Sequence, residues 1–462
     1  MRFKNILFSI LIGSFLIIPG GCELLDLEPQ DKLPAEDAIK DKRGLESAVA
    51  GVYDALQSAA IAQDVILFAD ILADNMIHVG TKKEYRQISD NRVAPENAYV
   101  EDLWNQSYDA INRVNNILEA LPDVEGISED ERERYRGECY FLRAFNYFYL
   151  ANYYGGLPLR KDALKGISPD ELSMERSSLE ATLDFVEDDL ELAISDFEGK
   201  NVTSNVYGNL YAAKALLARL HLYRENYEEA EILAKDVIQD SPFDLESGEN
   251  FANIFNEESN SSEIIFQVDF LNDEETNSMA DWCLPSSRFE VAAWETYDKE
   301  HSVADEYENN DLRKDVTIGS TTHEGRDEYY CLKYDDAQTD NDNSIFIRLA
   351  EMYLIVAESL NEQGYVANGD AFDYLNAIHT RAGLDSLKAS QVSNQEEFRE
   401  VILQERRLEF AFEGHRFFDL RRTGEIDDVL PNIGNLRQNG WLLPIPQSEL
   451  DTNDDIVQNG DY

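Results

Sequence analysis

The sequence predicts a mainly α-helical protein: helix hairpins stacked side by side, with one long loop-rich insertion. Three observations carry this expectation. Apolar residues recur at helical spacing through most of the chain. Two segments open with the capping-box pattern, Ser128 with Glu131 and Ser177 with Glu180, which satisfies the free amides of a helix start. Strand-like runs are few.

The elements follow in order. Arg2 and Lys4 precede an apolar run from Ile6 to Ile18 that is short for a bilayer span, and "PGGC" then places small residues before Cys22. This resembles a lipoprotein signal over 1–21, with Cys22 acylated as the first mature residue; an ordinary signal cleaved near Gly21 is the alternative. Several acyl chains would hold the protein stably on a membrane. Residues 22–40 contain Pro29 and Pro34 and read as a tether. Segments 44–59, 101–121, 128–154 and 177–197 read as helices, the third ended by Gly155, Gly156 and Pro158. Residues 208–226 and 227–241 form a helix pair whose Ala212 and Ala215 allow close approach, and Tyr227 and Ala230 open the second helix as in a tetratricopeptide unit. Residues 346–364 and 369–383 repeat the scheme. Candidate strands are 263–270, 329–335 and 441–446. Between 271 and 343 helical pattern weakens, and a stretch of that length usually serves binding.

The charge excludes some functions. With 40 Lys+Arg against 92 Asp+Glu, the net −52 repels phosphate backbones, so nucleic acid is a poor partner. The cysteines at 22, 139, 283 and 331 form no CxxC pair, and no P-loop, GxGxxG, HExxH or GxSxG occurs. Residues 340–351 space their acids like a calcium loop, but Ile345 stands where the turn needs glycine. No metal, cofactor or catalytic residue is expected.

The densest stretch is "ERRLEFAFEGHRFFDLRR", Glu405 to Arg422. Val401, Glu405, Leu408 and Phe412 share one helical face, so Glu405 interrupts an apolar stripe. A buried carboxylate must be paired, neutralised or functional. Five arginines between 406 and 422 favour pairing over a general acid at Glu405 or Glu409, and Gly414 can end the helix so that the segment folds back.

This stretch resembles the signature of the SusD/RagB family of outer-membrane lipoproteins, carried by Glu405, Arg406, Glu409, Glu413, Gly414, Arg416, Asp419, Leu420 and Arg422. The segments "ECYFLRAFNYFYLANYYGGLPL", "RLAEMYLIVAES" and "LLPIPQSELDTNDDIVQNGDY" resemble further family motifs in the same order. Two positions depart: His379 stands where arginine is common, and Tyr207-Gly208-Asn209 where a GR or GK pair often begins the helix. The resemblance implies one SusD-like domain over 41–462 that binds glycans at the cell surface, without catalysis, as the lid of a SusC-like TonB-dependent transporter. Some relatives take peptides instead, and a helical-repeat adaptor or a lipid-anchored glycosidase are further alternatives.

The family places its binding surface on early loops and on the mid-chain excursion. Here those are residues 69–87, with Asp74, Asn75, His78 and Tyr85, and residues 277–294, with Asn277, Asp281, Trp282, Arg288 and Trp294. Sugar capture needs flat rings against pyranose C–H faces and polar side chains at the hydroxyls. Trp282 is the foremost platform, with a loop plug onto the core as the alternative. Trp294 follows apolar neighbours and reads more as core, as do Trp104 and Trp441. The acidic surface favours a neutral glycan.

Overall fold

The computed structural model describes residues 38–462 apart from 167, 169–171, 203, 257–260, 271–275, 286–290, 293–301, 324–325, 431–433 and 461. Helical periodicity becomes helix at nearly every expected place. Helix α1 (Lys42–Leu56) starts at Asp41, whose carboxylate accepts from Gly44 N. A π-helical turn (Ala60–Asp64) leads into α2 (Val65–Ile71), followed by α3 (Lys83–Ser89) and α4 (Ala98–Ala120). Helix α5 (Glu129–Tyr154) opens on the expected capping box: Ser128 Oγ accepts from Glu131 N, and Glu131 Oε2 accepts from Ser128 N. Helix α6 (Leu179–Phe197) is capped one residue later than the pattern suggests. Ser177 donates its N–H to Leu157 O in the preceding loop, and Ser178 caps Ala181 N instead.

The two expected hairpins form. Helices α7 (Leu210–Tyr223) and α8 (Tyr227–Asp240) make the first, with Ala212 and Ala215 fully buried. Among the described residues the excursion then carries short helices, α9 (Met279–Cys283), α10 (Val303–Glu306) and α11 (Lys314–Thr317). Helices α12 (Leu349–Gln363) and α13 (Asp370–Arg381) make the second hairpin, and α12 packs on α8. Helices α14 (Gln395–Glu409) and α15 (Arg416–Arg422) complete the frame. One continuous hydrophobic cluster runs from Ile39 to Ile456.

Among the described residues strands form three antiparallel pairs. Strand β1 (Ile77–His78) pairs with β3 (Val291–Ala292), β2 (Ile264–Val268) with β6 (Ser344–Arg348), and β4 (Ile318–His323) with β5 (Arg326–Cys331). The expected strand at 441–446 does not form. Pro444 and Pro446 have no amide to donate. The segment is held singly instead: Leu443 N donates to Tyr153 O and Ile445 N to Gln458 Oε1.

The charged stretch at 405–422 is a buried clamp. Gly414, at φ +81°, ends the turn after α14 and lets α15 fold back. Arg348 donates to Glu263, Glu409 and Glu413 at 2.5–2.7 Å. Arg313 donates to Glu405 at 2.7 Å and Glu409 at 3.0 Å, and Lys333 to Glu413 at 2.6 Å. Asp419 accepts from Arg406 and Arg422. Burial opposes ionisation of Glu405 and Glu409, yet the guanidinium groups hold both below their ordinary range. Glu405 and Glu409 are therefore structural anchors facing cations. His379, in the position where arginine is common, keeps the bridge: its Nδ1 lies 2.8 Å from Glu405 Oε2.

Candidate functional site

A cluster of rings forms where the early loops meet the excursion. The β1–β3 pairing sets Ile77 opposite Ala292 and His78 opposite Val291, drawing two segments over two hundred residues apart onto one face. Asn97 fixes the other side. Its side-chain oxygen caps α4 at Tyr99 N and Val100 N, while its amide donates to Glu84 O and Gln87 Oε1 of α3. Helix α9 then brings Trp282 against Tyr85, ring centres 4.5 Å apart at 36°. Tyr99 stands edge-on to both, 4.4 Å from Tyr85 and 6.4 Å from Trp282. His78 lies 5.9 Å from Tyr85.

Lys82 closes the cluster. Its Nζ sits 4.1 Å from the centre of the Trp282 ring and 5.6 Å from that of Tyr99. Trp282 is 8% exposed and Tyr99 is half-buried, whereas Tyr85 is completely buried. Beneath them Tyr85 donates its hydroxyl to Asp64. Burial pushes the Asp64 carboxyl up to about 7, against the pull of the Tyr85 hydrogen bond.

The nine candidate ligand contacts divide accordingly. Trp282, Tyr85 and His78 come together, and half-buried Asp281 precedes Trp282 on α9. Four expectations need correction as direct contacts. Tyr85 backs Trp282 and offers no open face. Asp74 receives Arg416 Nε at 2.7 Å and Arg407 Nη2 at 2.9 Å, and despite burial these cations hold its carboxyl below its ordinary value. Asn75 donates to Asp70 and accepts from Arg407. Asn277 donates to Asp342 O at 2.7 Å and to Ser344 Oγ at 3.0 Å. These last three are polar because the scaffold needs their hydrogen bonds, and all are buried. Arg288 and Trp294 lie outside the described residues.

Tyr99 and Lys82 were not singled out by the sequence. Tyr99 falls in the first turn of a strongly periodic helix, where a tyrosine reads as core. Lys82 is the middle of "TKK", one of two adjacent lysines that sequence does not distinguish.

Comparison with known proteins places this architecture. The family model described as "SusD family" matches residues 253–462, and the one described as "Starch-binding associating with outer membrane" matches residues 23–222. SusD-like protein P38 of Formosa agariphila is 26% identical, with all of this chain and all of that protein aligned. SusD-like protein P25 of the same organism is 27% identical over 98% of each. A solved structure described as a laminarin binding SusD-like protein superposes with a TM-score of 0.79 at 24% identity, over 92% of this chain and 100% of the other. Surface glycan-binding protein A from Bacteroides fluxus gives 0.76 at 22% identity, over 92% and 100%. Among the described residues no helix is long and apolar enough to cross a membrane. With the motif-bearing clamp, the helix hairpins and two family models that between them span nearly the whole sequence, this chain belongs to the SusD/RagB family.

Proposed function

We propose that the protein captures carbohydrate outside the cell on the Trp282 platform and passes it to a TonB-dependent transporter, held at the outer membrane by acylated Cys22. The observation that carries this reading is the convergence of Trp282 with Tyr99 and Tyr85 from two distant loop segments. Among the described residues, the Lys82 ammonium lies 4.1 Å over the Trp282 ring, in the place where the C–H face of a sugar ring would stack. Lifting the half-buried Lys82 ammonium from the indole costs about 0.5–2 kcal/mol, less than the roughly −4 to −8 kcal/mol of millimolar to micromolar binding. The net charge of −52 supports a neutral glycan. Binding without hydrolysis is the reading for this site, since Asp64 is sealed beneath Tyr85. Starch, named for the family model over residues 23–222, and laminarin, bound by one structural neighbour, supply the first probes.

Calorimetry of the intact protein against starch and laminarin oligosaccharides tests the proposal. Trp282→Ala should weaken binding at least tenfold. Lys82→Ala should leave it equal or tighter, by up to about thirtyfold, as the displaced cation–π contact predicts. Binding to peptides and to no sugar would overturn the carbohydrate reading. Reducing ends released on long incubation would overturn the absence of catalysis.

A further inference from the structure

A second groove shares no residue with the Trp282 cluster. It has a volume of about 730 Å³ and lies between α1, the first half of α5, the chain entering α7 and the end of β2. That volume falls within the range of about 300–1,000 Å³ typical of small-ligand clefts. A smaller hollow of about 210 Å³ continues it, sharing Val206, Gln267 and Asp269.

The lining combines a flat ring with hydrogen-bonding groups. Tyr207 is 49% exposed, and it is the aromatic residue among the exposed large hydrophobics of the described residues. Its ring is held edge-to-face on Tyr53, centres 5.0 Å apart at 84°. The backbone behind it is fixed. Gly208 N donates to Tyr53 Oη at 2.9 Å, and a Cβ on Gly208 would lie 2.8 Å from a Phe141 ring carbon. Tyr53 in turn donates to buried Glu138, which also receives Arg134 at 2.7 Å. The Arg134 guanidinium lies 4.0 Å over the Tyr135 ring, with nearly half its side chain exposed to the groove. This is the Tyr207-Gly208-Asn209 segment that departs from the family pattern. Asn209 takes over the helix start by capping Tyr211 N and Ala212 N, which leaves Tyr207 on the surface.

We propose that this groove is a second carbohydrate-binding site, with Tyr207 as the ring platform and Arg134 and Gln57 at the sugar hydroxyls. The proposal rests on the carbohydrate reading above. A rigid phenol beside amide and guanidinium groups matches a pyranose, which has apolar faces and a hydroxyl rim. Glu46, Asp54, Glu138 and Asp269 outnumber Arg134 in the lining, so the ligand is a neutral sugar rather than a sulfated or uronic one.

Calorimetry and equilibrium dialysis with starch and laminarin oligosaccharides test it on the full chain, comparing wild type, Trp282→Ala, Tyr207→Ala and the double variant. The expected result is residual binding in Trp282→Ala that falls at least a further tenfold in the double variant, with Tyr207→Phe behaving as wild type. Thermal melting checks that each variant folds. If Tyr207→Ala changes neither affinity nor stoichiometry while Trp282→Ala abolishes binding, the second site is refuted and the carbohydrate reading stands. If wild type binds neither sugar, both fail. If Tyr207→Ala instead reduces co-purification of a membrane barrel and leaves sugar binding intact, the groove is a protein contact and the proposal is overturned.

Discussion

Replacing Arg348 by methionine should destabilise the protein by about 3–5 kcal/mol, the usual cost of removing one partner from a buried ion pair. Arg348 sits at the centre of the clamp, 2% exposed, and serves three carboxylates. Methionine fills much of the volume but none of the charge. Glu409 would keep Arg313 and Arg381, Glu263 would keep Arg381, and Glu413 would keep Lys333. Arg313 also serves Asp311 and Glu405, so five carboxylates would face Arg313, Arg381, Lys333 and a protonated His379, one cation too few in a dry interior. For a chain of this length the unfolding entropy is about 1 kcal/mol/K, so the loss corresponds to a fall in Tm of roughly 3–5 °C. Urea unfolding followed by far-UV circular dichroism would measure it, with unchanged m-value showing that the same surface unfolds. Arg348→Lys restores charge without the planar fork and should fall between the two. A change below about 1 kcal/mol, or a gain, would refute the argument that unpaired charge dominates here.

Other outcomes follow from the same structure. Burial opposes protonation of His379, but its hydrogen bond to Glu405 raises its pKa above the ordinary 6.5. Its contribution is therefore full below about pH 6.5 and lost as pH rises through the higher folded value. His379→Arg should flatten stability across that window in pH-dependent melts. Gly414→Ala forces a side chain into a φ of +81°, with its Cβ 3.1 Å from Ile66 Cα, and should cost about 1–2 kcal/mol or more in urea unfolding. Glu138 is pushed up to about 7 by burial from an ordinary 4.5, so wild-type stability should fall as pH rises between these values, and Glu138→Gln should remove that slope. Cys22→Ser should move the protein from the membrane fraction to the soluble fraction on cell fractionation, the outcome expected when the acyl anchor is lost.

Much of the frame is legible in the sequence because helices advertise themselves locally. The Ser128 capping box and the small alanines of the first hairpin are each set by neighbours within a few positions. The clamp was legible for a different reason: five arginines around an acid on an apolar face allow few other outcomes. The site was less legible because its contacts are long-range. Asp74 and Asn277 look the same in sequence whether they face water or a distant partner, and here Asp74 meets an arginine 342 positions away. Tyr85 and Tyr99 differ in burial because Trp282 lies against one ring and leaves the other partly open. Nothing within either helix states that.

The clamp draws its members from residues as far apart as Glu263 and Asp419, so it has no half-made form. Asp74, outside the clamp, is under the same constraint: a chain emerging amino-end first would carry it long before Arg407 and Arg416 exist to receive it. Until the last quarter of the polypeptide arrives, burying the early helices in native fashion would strand the Asp74 carboxylate unpaired in oil. Cooperativity of this kind makes the lock beneath the excursions close only once its carboxy-terminal arginines have been made.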